Sequence, residues 1–387
     1  MPPLTPKQRL VAALDRQPLD RLPVTTHHVM RSYLDKYFPG QTEDDFFATF
    51  GLDPICWKVA HQPMPGSGAE FEPGHVPGFL EARRLTSPTW RFTHREILGR
   101  EFATIRHEIV TPRGTLTMEL QSNAFTSWVS EHLLKEKADI ELIGEFAPQP
   151  VCDVAAINRC VDERGDTALI RGHINCFDLY GQPGCWQDAC VLYGVENMIL
   201  ATYDDPAWVH AFLAILRDRK VRYADSMRGA RYDLLEHGGG DASSTVISPK
   251  LFDEFVAPYD RAVIAHARAA GQRVAYHTCG GMMPILERLV DLGSNALETF
   301  TPPAMGGDMN LAEAKRRIGD KVCFIGGFDQ NRFFTTATPA ETRAEVRRCF
   351  AEAGAGGGFI LSPSDHFFEA QPELLHAFAD EARRCTY

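Results

Sequence analysis

The stretch VISPKLFDEFVAPYDRAVIAHARAAGQRVAYHTCGG (246–281) contains one complete helix-to-strand step. Ser248 before Pro249 marks a helix start. A serine oxygen can accept from a free helix N–H, and proline at the first helical position loses no hydrogen bond. The pattern predicts a helix over 249–270, followed by a short buried strand, RVAYHTCG (273–280). Working outward, seven more apolar runs lie between Gly, Pro or polar clusters: LPVTTHHV (22–29), PICWKVA (54–60), ALIRGHIN (168–175), YDLLEHGG (232–239), ALETFTP (296–302), KVCFIGGF (321–328) and GFILSPS (358–364). Thr5-Pro6, Asp205-Pro206 and Thr338-Pro339 open further helices at 6–16, 206–228 and 339–353, and helical patterns follow at 281–292 and 372–384. From 232 onward strand and helix alternate, which argues for βα units and a parallel sheet. Eight strands close a (β/α)8 barrel. The expected fold is an α/β TIM barrel with an N-terminal helix, one domain over 1–387.

The segment 62–165 departs from that rhythm. FATIRHEIVTPRGTLTMEL (102–120) alternates like an antiparallel hairpin around Pro112-Arg113-Gly114, so the segment reads as an insertion carrying a hairpin and helices. The chain has 387 residues and a formal net charge of −11, with no basic track for phosphates, so a nucleic-acid partner is not expected. No apolar run reaches transmembrane length and the N-terminus lacks a signal-peptide layout, so no membrane association and a cytoplasmic location are expected. The ten cysteines are scattered without CxxC pairs, as reduced buried residues would be.

Barrel chemistry gathers at the C-terminal ends of the strands, because the βα loops converge there. Each run turns polar at its end: His27-His28, Lys58 with His61 just beyond, His173-Ile174-Asn175, Glu236-His237, His277-Thr278-Cys279, Glu298, Asp329-Gln330, and Asp365-His366. In His277-x-Cys279 the two side chains share one side of the strand, so imidazole and thiolate converge on one point. That donor pair suits zinc. Glu298, and Asp365 on the last strand, could add carboxylate ligands. A core histidine beside a buried cysteine, or a nucleophilic Cys279 activated by His277, fits the same spacing. His173, His237 and His366 are candidate acid–base groups near neutral pH. His28, Arg31, Asn175, Trp186, Asp329, Gln330 and Phe367 are candidate substrate contacts, although aromatic residues such as Trp186 and Phe367 also suit a core. Gly238-Gly239-Gly240 and Gly326-Gly327 fit no phosphate-loop spacing and read as close packing or room for a substrate.

PLDRLPV (18–24), the 246–271 helix followed by VAYHTCGGMMPILERLVDLG (274–293), GDKVCFIGGFDQ (319–330) and GGGFILSPSDHFF (357–368) resemble the uroporphyrinogen decarboxylase superfamily. The resemblance implies a (β/α)8 barrel and a homodimer. True uroporphyrinogen decarboxylases grip substrate carboxylates with an arginine-rich opening. Here TTHHVMRSYL offers Arg31 alone, a poor partner for many carboxylates. The other branch resembles corrinoid-linked methyltransferases, whose zinc is held by an HxC pair, an acidic residue on the next strand and a cysteine on the last. By that resemblance the ligands are His277, Cys279 and Glu298, and the last strand offers Pro363-Ser364-Asp365 in place of a cysteine. A carboxylate there keeps the ligand charge but hardens the site.

Three functions follow as expectations. The first is a zinc-dependent methyltransferase or demethylase, moving a methyl group between a small donor or thiol acceptor and a corrinoid carried by a partner protein. The second is a metal-free decarboxylase or lyase of a small carboxylate, using histidine acid–base catalysis with Arg31 on the carboxylate. The third is a barrel retained for binding alone, which the clustering of ionisable groups at one end disfavours.

Overall fold

Short runs of Val, Ile, Leu and Phe that alternate with helices can bury both faces only in a parallel sheet. The structure, a computed structural model, describes residues 3–76, 82–174 and 182–387. Seven strands form one parallel sheet in chain order: β1 (Ile55–Trp57), β2 (Leu169–His173), β3 (Leu234–Gly238), β4 (Val274–His277), β5 (Ala296–Thr299), β6 (Cys323–Phe328) and β7 (Phe359–Pro363). Each lies inside a run singled out from the sequence.

The eighth run, 22–29, is not a full strand. Val24 makes a single parallel bridge to Leu361. Leu361 N donates to Pro23 O at 2.9 Å and Thr25 N to Leu361 O at 3.0 Å, while Asp53 N donates to Val24 O at 2.7 Å on the other side. One residue thus joins β7 to the segment entering β1 and closes the barrel. Charge holds this stave in place. Asp53, fully buried, accepts from Arg9 Nη1 at 2.6 Å, Arg21 Nη2 at 2.9 Å and Val24 N at 3.0 Å, and Arg9 also pairs with Asp20 at 2.7 Å. The PLDRLPV segment is therefore a clasp between the first helix (Pro6–Leu14) and the barrel seam.

Helices Pro206–Ser226 and Pro339–Ala353 start at the expected prolines, and Pro372–Arg384 occupies the helical pattern expected at 372–384. The helix expected over 249–270 is broken: Pro249–Leu251 runs into a π turn, Phe252–Val256, before Ala257–Ala269 resumes. Pro258 follows directly and has no N–H to offer the preceding turn. The one expected at 281–292 shrinks to Met283–Asp291, its first turn 3-10 and containing Pro284. Short helices at Arg31–Tyr37, Glu43–Phe50, Cys185–Tyr193 and Leu311–Ile318 were not anticipated.

The insertion holds a four-stranded antiparallel sheet, Arg91–Glu96, Ala103–Thr111, Gly114–Ser122 and Ser127–Glu131, and helices Asp139–Phe146 and Val154–Arg164. Its central hairpin turns between Thr111 and Gly114. Phe125, in the loop before the last of these strands, meets Phe368 beyond β7 edge-on at 5.6 Å, so the insertion reaches the barrel mouth.

Candidate metal centre and active site

Register fixes which side chains enter the barrel. Parallel partners share a side, and the partner pairs Trp57–Arg171, His173–Glu236, Gly238–His277 and His277–Glu298 run around the sheet. Arg171, His173, Glu236, His277 and Glu298 therefore share its inner side. Gly238 makes this possible: at φ +105°, a Cβ there would lie 2.4 Å from the His277 carbonyl oxygen.

The inward groups meet at the C-terminal end. His277 Nδ1 lies 2.8 Å from Glu298 Oε1, and His277 Nε2 lies 3.0 Å from Cys279 Sγ. Cys279 Sγ donates to Asp365 Oδ2 at 2.9 Å. Below them Arg171 Nη2 donates to Glu236 Oε2 at 2.6 Å and Glu298 Oε1 at 2.5 Å, with its guanidinium 4.5 Å from the Trp57 ring centre. His27 Nε2 sits 2.9 Å from Glu236 Oε2, and the His27 and His277 rings stack at 5.0 Å. Trp57 Nε1 donates to the His27 carbonyl at 2.9 Å and fixes that loop.

Burial sharpens these charges. It would lower His27, but Glu298 and Glu236 outweigh it and push that imidazole up to about 10. His277 is likewise driven well above the ordinary histidine value, against burial, by Cys279 and Glu236. Despite burial, the cations around them draw Glu236 down to about 2 and hold Glu298 and Asp365 well below the carboxylate range. His28 goes the other way: burial, then His27 and Arg171, drive it well below 6.5, so it stays neutral at the rim. Burial raises the Cys279 thiol.

The donor set fits a divalent transition metal. One ligand atom from each of His277, Cys279 and Asp365 lies within 4.8 Å of the others, and imidazole, thiolate and carboxylate are zinc donors. The expected four-ligand set is divided. Glu298 lies on Nδ1, the far nitrogen from Cys279, in the position of a carboxylate that orients a metal-bound histidine. Asp365 is the last-strand residue that meets the cysteine; its neighbour His366 pairs with Asp365 Oδ1 at 2.8 Å, one-third exposed at the rim.

The other expected site residues scatter. His237 faces outward, fully buried, and pairs with Asp260 Oδ1 at 3.0 Å behind the sheet, where Asp260 also accepts from Tyr276. It cannot act at the mouth, because the pleat that brings Glu236 inward turns His237 away. His173 faces inward, 6.3 Å from the Trp57 ring, and His28 stacks beside Trp57 at 4.7 Å. Arg31 is exposed and bridged to Asp35 at 2.6 Å on one helix turn. Trp186 is buried with its Nε1 on the Asp241 carbonyl, and Phe367 packs among Tyr33, Phe46 and Phe334; both are core. Asp329 caps the short helix Gln330–Phe333. Gln330 is buried and braces the last-strand loop, accepting from Ser364 N at 3.0 Å. Asn175 lies outside the described residues.

Arg171, Glu236, His27 and Trp57 were not among the expected site residues. An arginine inside the apolar run ALIRGHIN was itself a signal, since an arginine is almost never fully buried without a partner.

Together, a parallel barrel and a ring of metal-type donors at its strand ends define an enzyme of the barrel class. The chain belongs to the uroporphyrinogen decarboxylase family, whose model, "Uroporphyrinogen decarboxylase (URO-D)", matches residues 177–385. It is 27% identical over 388 residues to a uroporphyrinogen decarboxylase from Aliivibrio salmonicida, covering 96% of this chain and 95% of that one. Another, from Neisseria meningitidis, is 32% identical over 127 residues, which span only 33% of that enzyme's length. Among solved structures, a methyltransferase from Methanosarcina mazei shares the fold, with a TM-score of 0.62 at 17% identity over 98% of this chain and 99% of that one. Among the described residues, no helix is long and apolar enough to cross a membrane.

Proposed function

We propose that this chain is a zinc-dependent methyltransferase or demethylase, exchanging a methyl group between a small donor or thiol acceptor and a corrinoid held on a partner protein. The observation that carries the reading is the meeting of His277 Nε2, Cys279 Sγ and Asp365 Oδ2 at the open end of the barrel. A zinc ion bound there would lower the pKa of a coordinated thiol or water and so supply a nucleophile at neutral pH.

The residues around it do the positioning. Glu298 accepts from His277 Nδ1–H and so aims Nε2 toward the mouth. Arg171 neutralises Glu236 and Glu298 from below. His366, paired with Asp365 at the rim, is placed to take or return the substrate proton. Neutral His28 beside Trp57, with Phe368 and Phe125 above, gives the entrance an aromatic wall suited to a small apolar substituent.

A second reading is a metal-free lyase or decarboxylase, favoured by charge balance: three carboxylates, Glu236, Glu298 and Asp365, already face His27, His277 and Arg171. Elemental analysis of protein purified without chelator separates the two. About one zinc per chain, lost in His277→Ala, together with methyl transfer from methylcobalamin to a panel of thiols, supports the first. Activity that survives exhaustive chelation and Cys279→Ser supports the second.

A further inference from the structure

His277 presents two nitrogens to two different groups of donors. Nε2 looks outward to Cys279 and Asp365. Nδ1 looks inward to a second set, with ligand atoms from His27, Glu236, Glu298 and His277 all within 4.8 Å of one another. By donor type alone, two imidazoles and two carboxylates in a buried cluster make a divalent-cation site. That space already holds a cation. Arg171 Nη2 lies 2.6 Å from Glu236 Oε2, 2.5 Å from Glu298 Oε1 and 3.4 Å from His27 Nε2, against three of the four donors. The guanidinium is fully buried and reaches in from β2 beneath the Trp57 ring. Its charge cannot be withdrawn by deprotonation. Glu298 Oε2 is buried there without a hydrogen-bond partner, so the carboxylate has ligating capacity that Arg171 does not use.

We propose that Arg171 is a resident cation that fills a second, inner metal site formed by His27, Glu236, Glu298 and His277 Nδ1, and thereby limits this barrel to one metal ion. The inference rests on the reading of a metal at His277, Cys279 and Asp365, but its test does not. Removing the guanidinium takes one positive charge from a buried space of ligand geometry, where His27 and His277 alone do not balance Glu236, Glu298 and Asp365. A divalent ion can restore it as an imidazolium gives up its proton. Arg171→Met opens the space without adding a donor. Arg171→Lys keeps the charge and leaves the inner site closed.

The experiment is zinc stoichiometry by elemental analysis after dialysis against buffered zinc, for wild type, Arg171→Met, Arg171→Lys and Arg171→Met/Glu236→Gln. The quantity read is variant minus wild type. A gain of about one ion per chain in Arg171→Met, absent in Arg171→Lys and reduced in the double variant, is expected. No gain in a folded Arg171→Met overturns the proposal while leaving the outer site standing. If the wild type holds no zinc, the outer-site reading fails, and the gain in Arg171→Met still decides this one. Should Arg171→Met fail to fold, anomalous scattering from zinc-soaked wild-type crystals decides. A zinc peak among His27, Glu236 and Glu298 with Arg171 in place overturns the proposal; their absence from the zinc positions under saturating metal supports it.

Discussion

Glu298 receives His277 Nδ1 and Arg171 on the same oxygen, so one carboxylate sets both the tautomer of the expected ligand and the balance of the buried charges. Glu298→Gln should weaken zinc binding by about 10–100-fold, as loss of such an orienting partner does, measured by competition with a chromophoric chelator. An unchanged affinity would remove Glu298 from the centre. In the insertion sheet, His107 tests the electrostatics independently. Burial, then Arg84, His94 and His75, pull it down to about 4. The unfolded chain therefore takes up its proton first, near 6.5. Stability present above pH 6.5 falls through the window down to about pH 4, by roughly 3 kcal/mol in all. Urea midpoints at pH 7 and pH 5 should separate less in His107→Gln than in wild type. The choice of His28 over His27, and of His237 over Glu236, marks where residue-level reading stops. At a strand end one step of the pleat reverses the side chain, and nothing in two adjacent polar residues states the register. His277 and Cys279 escaped that ambiguity because their two-residue spacing keeps them together on either face.

At the scale of elements, the barrel strands were legible because a strand buried on both faces must be a short apolar run, and because prolines mark the helix starts. The interruption at Phe252–Val256 was not, since Pro258 sits inside a convincing helical pattern and its cost appears only as a change of turn. The paired glycines in β6 are close-packing devices. Gly326 has φ +120°, and a Cβ there would stand 2.3 Å from the Thr299 carbonyl oxygen of β5. Gly326→Ala should therefore cost about 2–4 kcal/mol in urea unfolding, combining an unfavourable φ with overpacking. It should also disturb zinc binding, because β5 carries Glu298. A loss under 1 kcal/mol would mean that the two strands can separate.

At the scale of the whole molecule, the seam depends on Asp53. It serves two guanidinium groups and the Val24 amide at a fully buried position. Asp53→Ala leaves Arg9 and Arg21 short of a counter-charge beside the stave and should lower unfolding free energy by about 3 kcal/mol. An unchanged urea midpoint would show that the clasp is not what holds the seam. The PLDRLPV segment announced itself by resemblance, but its role as a clasp needed the fold, since Arg9, Asp20, Arg21 and Asp53 converge only once the barrel exists.

Closure through Val24 and Leu361 also dictates an order of events during synthesis. Val24 leaves the ribosome long before Leu361, its partner on β7, has been made. Until then the nascent cylinder stands open, with the free margin of β6 exposed as a template for other chains. A polypeptide released short of Phe359 never acquires the missing stave. Premature termination in this protein should therefore yield sticky, insoluble fragments rather than a smaller working barrel.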